Sequence, residues 1–141
     1  MATIFTRIIN GELPGRFVWR DSQCVAFLSI QPLAQGHTLV VPIAEVDHWL
    51  DLPPALHAHL TAVSQHIGKA IQSAFAPKKV GMCVIGLEVP HVHIHLSPIN
   101  GIGDMNFANA DPKPSAEKMD DSMNRIRAAL REQGHTASVP Q

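Results

Sequence analysis

His91, His93 and His95 alternate with Val92, Ile94 and Leu96, and this pattern constrains the chain more than any other. Side chains on an extended strand alternate between its faces, so the three imidazoles are expected to line one surface while the aliphatic residues enter a core. Each ring can donate, accept or attack near neutral pH, and a row of them points to chemistry. Residues two apart on a strand are separated by about 6.6 Å and residues four apart by about 13 Å, whereas zinc draws ring nitrogens to about 2.0–2.1 Å. Two of the three could share a metal with help from elsewhere; all three could not. An extended anionic substrate suits the row better, with one ring attacking and its neighbours hydrogen-bonding to oxygens. The competing reading is an edge strand rich in histidine by chance. The chain has nine histidines, but strict alternation with apolar partners is harder to obtain by accident.

A chain of 141 residues fits one domain with a substantial core. Its net charge is -1, with 16% charged and 45% hydrophobic residues, which excludes a disordered class and a basic nucleic-acid-binding surface. The N-terminus lacks a signal-sequence pattern and no apolar run approaches a membrane span, so a cytoplasmic protein without a membrane partner is expected. Cys24 and Cys83 fall in separate expected strands outside any paired motif, and two buried reduced thiols are the expectation.

Phe17–Asp21 and Cys24–Leu28, joined by Ser22-Gln23, read as a hairpin, and Thr38–Pro42 as a third strand. Asp51-Leu-Pro-Pro predicts a helix start with Asp51 as candidate cap. Leu56, Leu60, Val63, Ile67, Ala70, Ile71 and Ala74 then recur at helical spacing, with His57, His59 and His66 read as surface residues of that helix. Val80–Ile85 and the histidine strand form a second expected hairpin through Gly86-Leu-Glu-Val-Pro90. Lys118–Arg131 predicts another amphipathic helix, and the residues from Gly134 a loose tail. The fold class expected is α+β, an antiparallel sheet of about five strands with helices segregated to one face.

The alternating histidines resemble the signature of the histidine triad (HIT) family, His-φ-His-φ-His-φ-φ with φ hydrophobic, whose members bind nucleotides and hydrolyse or transfer nucleotidyl groups. Other segments carry the resemblance too. Thr3-Ile-Phe5 through Ile9-Asn-Gly-Glu-Leu-Pro14 is similar to the family's N-terminal helix and turn, Cys24–Phe27 through Ile30-Gln-Pro32 to its second strand and nucleoside loop, and Gly36–Pro42 to its third strand. They cover roughly residues 3–108 as a HIT domain, leaving 109–141 as a C-terminal extension with a helix and tail. The resemblance implies one long helix, a short N-terminal helix and a homodimer. It makes His93 the nucleophile of a nucleotidyl-histidine intermediate that water later cleaves, its other ring nitrogen donating to a backbone carbonyl of the triad strand. His91 and His95 would orient and stabilise phosphate charge, and His37 would support the triad. Ile30 would pack on the nucleobase, with Phe5 and Ile8 completing an apolar wall.

Several positions depart from the family pattern. Ser29 stands where relatives commonly place Asp or Asn to bind ribose hydroxyls. The loop before the triad is shortened to Ile85-Gly-Leu-Glu-Val-Pro90, so Gly86 is kept while Leu87 and Glu88 replace the amide and hydroxyl that serve the phosphate. Glu88 could act as a general acid or repel phosphate. Relatives also carry Cys-x-x-Cys near the N-terminus as part of a structural zinc site. Thr3 and Thr6 occupy those positions here, and Glu45 stands where a histidine is usual, so neither that metal nor any cofactor is expected. The leading reading is an enzyme that cleaves a phosphoramidate or phosphoanhydride bond at the α-phosphate of a purine nucleotide conjugate. A nucleotide-binding or sensing module with a vestigial triad, and a metal-dependent hydrolase using two triad histidines, are the alternatives.

Overall fold

The computed structural model describes residues 2–141. Helix α1 (Ile4–Ile9) precedes strands β1 (Phe17–Arg20), β2 (Cys24–Leu28) and β3 (Thr38–Pro42). Helix α2 (Pro54–Phe75) follows, then β4 (Lys79–Cys83), β5 (Ile94–Ile99) and α3 (Ala116–Glu132). All strand pairings are antiparallel and the sheet order is β1-β2-β3-β5-β4, so β5 lies between β3 and the edge strand β4. This is the expected α+β architecture.

The sheet is covered on both faces, which corrects the expectation that the helices share one. Every residue of β2 and β3 is buried, and side-chain alternation divides them. Cys24, Ala26, Leu28 and Val40 join Leu60, Ile67 and Ile71 of α2 and Ile126 and Leu130 of α3 in the main core. Val25, Phe27, Leu39 and Val41 face the other way and pack with Phe5, Ile8 and Ile9 of α1. Burying an aliphatic side chain of this size stabilises by about 1.5–3 kcal/mol, so a sheet apolar on both sides needs both covers.

Local chemistry sets the element ends. The Thr3 hydroxyl caps α1 by accepting the Thr6 N–H, and Ser115 does the same for α3; such caps contribute about 1 kcal/mol each. Asp51 does not cap α2. It ends a 3-10 turn over Trp49–Asp51, and the long helix starts at Pro54 with Pro53 as its uncapped flank, because a residue before proline is pushed out of the helical region. Asp21 anchors the β1–β2 hairpin instead. Its carboxylate accepts from the Gln23 and Cys24 amides, from Trp19 Nε1 (each 2.8 Å) and from His59 Nε2 (2.7 Å). Burial alone would raise this carboxyl, but those hydrogen bonds outweigh it and hold it at about 2. His59 is therefore an anchor, and His66 stacks on Trp19, so neither is a simple surface residue. Cys24 is buried, but Cys83 is only partly so.

The C-terminal residues are held as well. A 3-10 turn over Thr136–Ser138 brings Val139 into the main core, and the His135 ring packs on Trp19. Among the described residues no helix is long and apolar enough to cross a membrane.

Candidate active site

Val92, Ile94 and Leu96 enter the main core, so the three imidazoles face the α1 side, as alternation predicts. Strand pairing, however, begins at Ile94. His91 and His93 lie in an extended segment ahead of it, and α1 covers them: His91 is 0% exposed and His93 7%. They are not an exposed row, and their different surroundings give each ring a different state.

His91 Nε2 lies 2.7 Å from the carbonyl oxygen of Pro42 and Nδ1 lies 2.7 Å from the Thr3 hydroxyl. A carbonyl only accepts, so Nε2 carries the proton and Nδ1 of the neutral ring accepts from Thr3. Both nitrogens are thereby engaged inside the protein, leaving none for a phosphate. His93 Nδ1 lies 2.8 Å from the carbonyl oxygen of its neighbour His91, so Nδ1 donates and the lone pair sits on Nε2. Burial pushes both rings below their ordinary value, which keeps the His93 lone pair free near neutral pH.

The third ring belongs to a second chain of bonds. Leu33 N–H donates to His37 Nδ1 (3.0 Å), so the His37 proton is on Nε2, which donates to His95 Nδ1 (3.0 Å). His95 then keeps its own proton on Nε2, as a donor. Burial lowers His37 to about 4 and His95 to about 3, with repulsion from neighbouring imidazoles adding to it. Gly36 makes this turn possible: its φ is +97°, and a Cβ there would come within 2.6 Å of the Phe75 ring.

Two cavities meet at His93. The larger, about 710 Å³, has Phe5, Ile8, Phe27, Ile30 and Leu39 along its walls, with Ser29, Glu88 and His93 as polar lining residues. The smaller, about 310 Å³, contains His37, His95, Gly86, Leu87 and Phe107, and shares Ser29, Gln31, Glu88, Val89 and His93 with the first. The structure thus places Phe5, Ile8, Ile30, Ser29, Glu88 and His93 around one cavity, and groups Gly86 and His37 with His95. Ile30 is 70% exposed, an apolar side chain open to a ligand, whereas Phe5 packs edge-on against His93 at 4.8 Å between ring centroids. Glu88 is solvent-exposed, and its charge favours the protonated form of His93.

Sequence reasoning missed the contribution of the C-terminal segment. Phe107 packs edge-on against His95 at 4.8 Å, and Met119, Asp120, Met123 and Arg127 of α3 close one side of the larger cavity. Asp120 pairs there with Arg16 at 2.8 Å. An amphipathic helix signals burial of one stripe, but nothing in its periodicity identifies the cavity beneath it.

The residues at the family's zinc positions do not fit that metal. Thr3 and Thr6 offer neutral hydroxyls where zinc takes thiolates, and His91 Nδ1 already accepts from Thr3. Asp21, Cys24 and His59 also lie close together. Burial pushes that thiol up, and Asp21 is saturated by the donors described above.

A family model described as the HIT domain matches residues 10–100. An uncharacterized HIT-like protein of Methanocaldococcus jannaschii is 35% identical over 105 residues, covering 67% of this chain and 77% of that one. An adenylylsulfatase of Arabidopsis thaliana is 26% identical over 98% of this chain and 71% of its own. For an adenosine 5'-monophosphoramidase of Saccharomyces cerevisiae the figures are 31%, 69% and 62%. A zinc-bound histidine triad family protein of Mycobacterium smegmatis superposes with a TM-score of 0.80 at 26% identity, covering 96% of this chain and 98% of that one. Signature, sheet order and similarity agree, and the chain belongs to the HIT family.

Proposed function

We propose that this protein hydrolyses a purine nucleotide conjugate at its α-phosphate, through a nucleotidyl intermediate on Nε2 of His93. The observation that carries the reading is the tautomer of His93. Its Nδ1–H is committed to the His91 carbonyl, so the lone pair lies on Nε2 of a residue that lines both cavities. A neutral imidazole attacks an anionic phosphorus centre without the repulsion an anionic nucleophile would meet. Similarity to an adenylylsulfatase and an adenosine monophosphoramidase supports the same chemistry.

In this reading the apolar larger cavity takes the nucleoside, its volume lying within the usual range of about 300–1,000 Å³ for ligand pockets. Ile30, Phe5 and Ile8 contact the base and Ser29 the ribose, while the smaller cavity takes the leaving group. The Nε2 lone pair of His93 forms a bond to phosphorus as the bond to the leaving nitrogen or oxygen breaks, and the departing group takes a proton from solvent. The ring becomes cationic, which strengthens its Nδ1–H bond to the His91 carbonyl. His95 donates its Nε2 proton in a hydrogen bond to phosphoryl charge, and His37 holds that tautomer. Water then attacks phosphorus, releasing nucleoside monophosphate and a proton and restoring the lone pair. His91, with both nitrogens engaged, acts through its carbonyl rather than on phosphate. The protein works in the cytoplasm without a cofactor. It forms a homodimer through β4, an unpaired sheet edge carrying the exposed Met82.

The test is turnover of adenosine phosphoramidate, adenylyl sulfate and a dinucleoside polyphosphate in the presence of a chelator, with intact-mass detection of the adduct. Turnover and adduct are expected for wild type, and neither for His93→Ala. Activity of His93→Ala at the wild-type level would reject the covalent mechanism. Tight nucleotide binding with no turnover would select the sensing module.

A further inference from the structure

Four polar groups meet where α1 begins, and they lead to the nucleophile. The Thr3 hydroxyl oxygen accepts the Thr6 N–H (3.1 Å) and donates to His91 Nδ1 (2.7 Å). Thr3 N–H donates to Glu45 Oε1 (2.8 Å), and the Thr6 hydroxyl lies 3.4 Å from that of Thr3. At its other end the His91 ring donates to Pro42. The ring is thus clamped between α1 and the end of β3, while the carbonyl of the same residue accepts from His93 Nδ1.

That carbonyl needs a clamp. Residues 91–93 lie outside the β3–β5 ladder, whose pairing with β3 ends at Val40 and Ile94, so sheet bonding does not set its direction. Outside the ladder, His91 N–H donates to Val89 and Val92 N–H to Val46, both loop residues. The ring of His91 is the part tied to regular structure at two points, and Thr3 supplies one of them.

We propose that Thr3 is a positioning residue for catalysis: its hydroxyl, braced by Glu45 and Thr6, locks the His91 ring and so holds the carbonyl that keeps His93 in its Nδ1–H form. Hydrogen bonds here occupy the corner where the residue types would not hold a metal. The catalytic part of this inference rests on the proposed function; the tautomer part does not.

Three substitutions separate donation from helix capping. Thr3→Val removes both, Thr3→Ser keeps both, and Thr3→Gly leaves a residue that helices accept at this position but has no side chain to reach His91. Measured quantities are kcat and KM on adenosine phosphoramidate, melting temperature, and the ring tautomers of His91 and His93 from long-range proton–nitrogen-15 spectra. Thr3→Val is expected to lower kcat by about tenfold or more, the scale of a misplaced reacting group, with KM nearly unchanged. Serine should restore kcat, and the glycine variant should lose it while melting close to wild type. His93 should leave its single Nδ1–H form in both defective variants. Wild-type kcat and an unchanged His93 tautomer in the folded glycine variant would overturn the proposal, because they would reduce Thr3 to a cap. If Thr3→Val does not fold, the glycine variant alone decides. Should the wild type turn over no nucleotide conjugate, the functional reading fails, and an unchanged His93 tautomer in the glycine variant would still overturn the clamp.

Discussion

Acidification from pH 6.5 to 4.5 should remove at least about a third of the stability of a domain of this kind, and the His37–His95 pair supplies the largest resolved share. In the folded chain His37 is lowered to about 4 and His95 to about 3, chiefly by burial, from an ordinary 6.5. The sign follows from proton counting. Above pH 6.5 both rings are neutral whether folded or not; below it the unfolded chain binds protons that the folded chain refuses, so unfolding becomes easier as pH falls. Two protons at about 1.36 kcal/mol per pH unit each give a slope of about 2.7 kcal/mol per unit, or about 5 kcal/mol over two units. Small domains have about 5–15 kcal/mol in total. His91, His93 and His66 are lowered too and act in the same direction. Asp21 does not interfere, because a carboxyl held at about 2 loses its contribution only as pH falls below its ordinary 3.8.

The assay is urea denaturation followed by far-ultraviolet circular dichroism at pH 8, 6.5, 5.5 and 4.5. His37→Gln provides the internal control: its amide can still accept from Leu33 and donate to His95, but it does not titrate. The wild-type slope should be at least about 2.5 kcal/mol per pH unit below 6.5, and the variant's smaller by about 1.4, one proton's worth. A wild-type slope below about 1 kcal/mol per unit, or an unchanged slope in the variant, would refute the assignment of neutral buried rings to this pair.

Two further outcomes are expected. Glu88→Ser should raise turnover of at least one conjugate, most on highly anionic dinucleoside polyphosphates, because it removes a negative charge beside His93 and restores a hydroxyl; equal or lower rates on every conjugate, with the fold intact, would make Glu88 remote or an adapted catalytic group. Light scattering at micromolar concentration should give the mass of a homodimer, and Met82→Lys on β4 should shift it toward monomer; a monomeric wild type would contradict the edge-strand interface.

The pattern of the sequence was most informative where local chemistry decides the outcome. Short apolar runs between turn residues in β2 and β3, and alternation in the triad segment, are nearest-neighbour properties, so strand identity and the face shared by the three histidines could be read directly. Depth could not. Cys24-Val-Ala-Phe-Leu28 is apolar at every position, which signals two covered faces, yet a six-residue α1 carries too few apolar positions to announce that it is the second cover. Its placement turns an expected surface row into one ring sealed from solvent and one nearly so. The start of α2 at Pro54 was obscured by Asp51, a good capping type that the following prolines exclude. Least legible of all was the division of labour within the triad. Three identical side chains differ because Pro42, the His91 carbonyl and His37, brought from different parts of the chain, each fix a different nitrogen. The state of each ring is therefore a property of these partners, and in the proposed mechanism a substitution at Thr3 or His37 should alter the chemistry by changing which nitrogen of a neighbouring ring carries the proton.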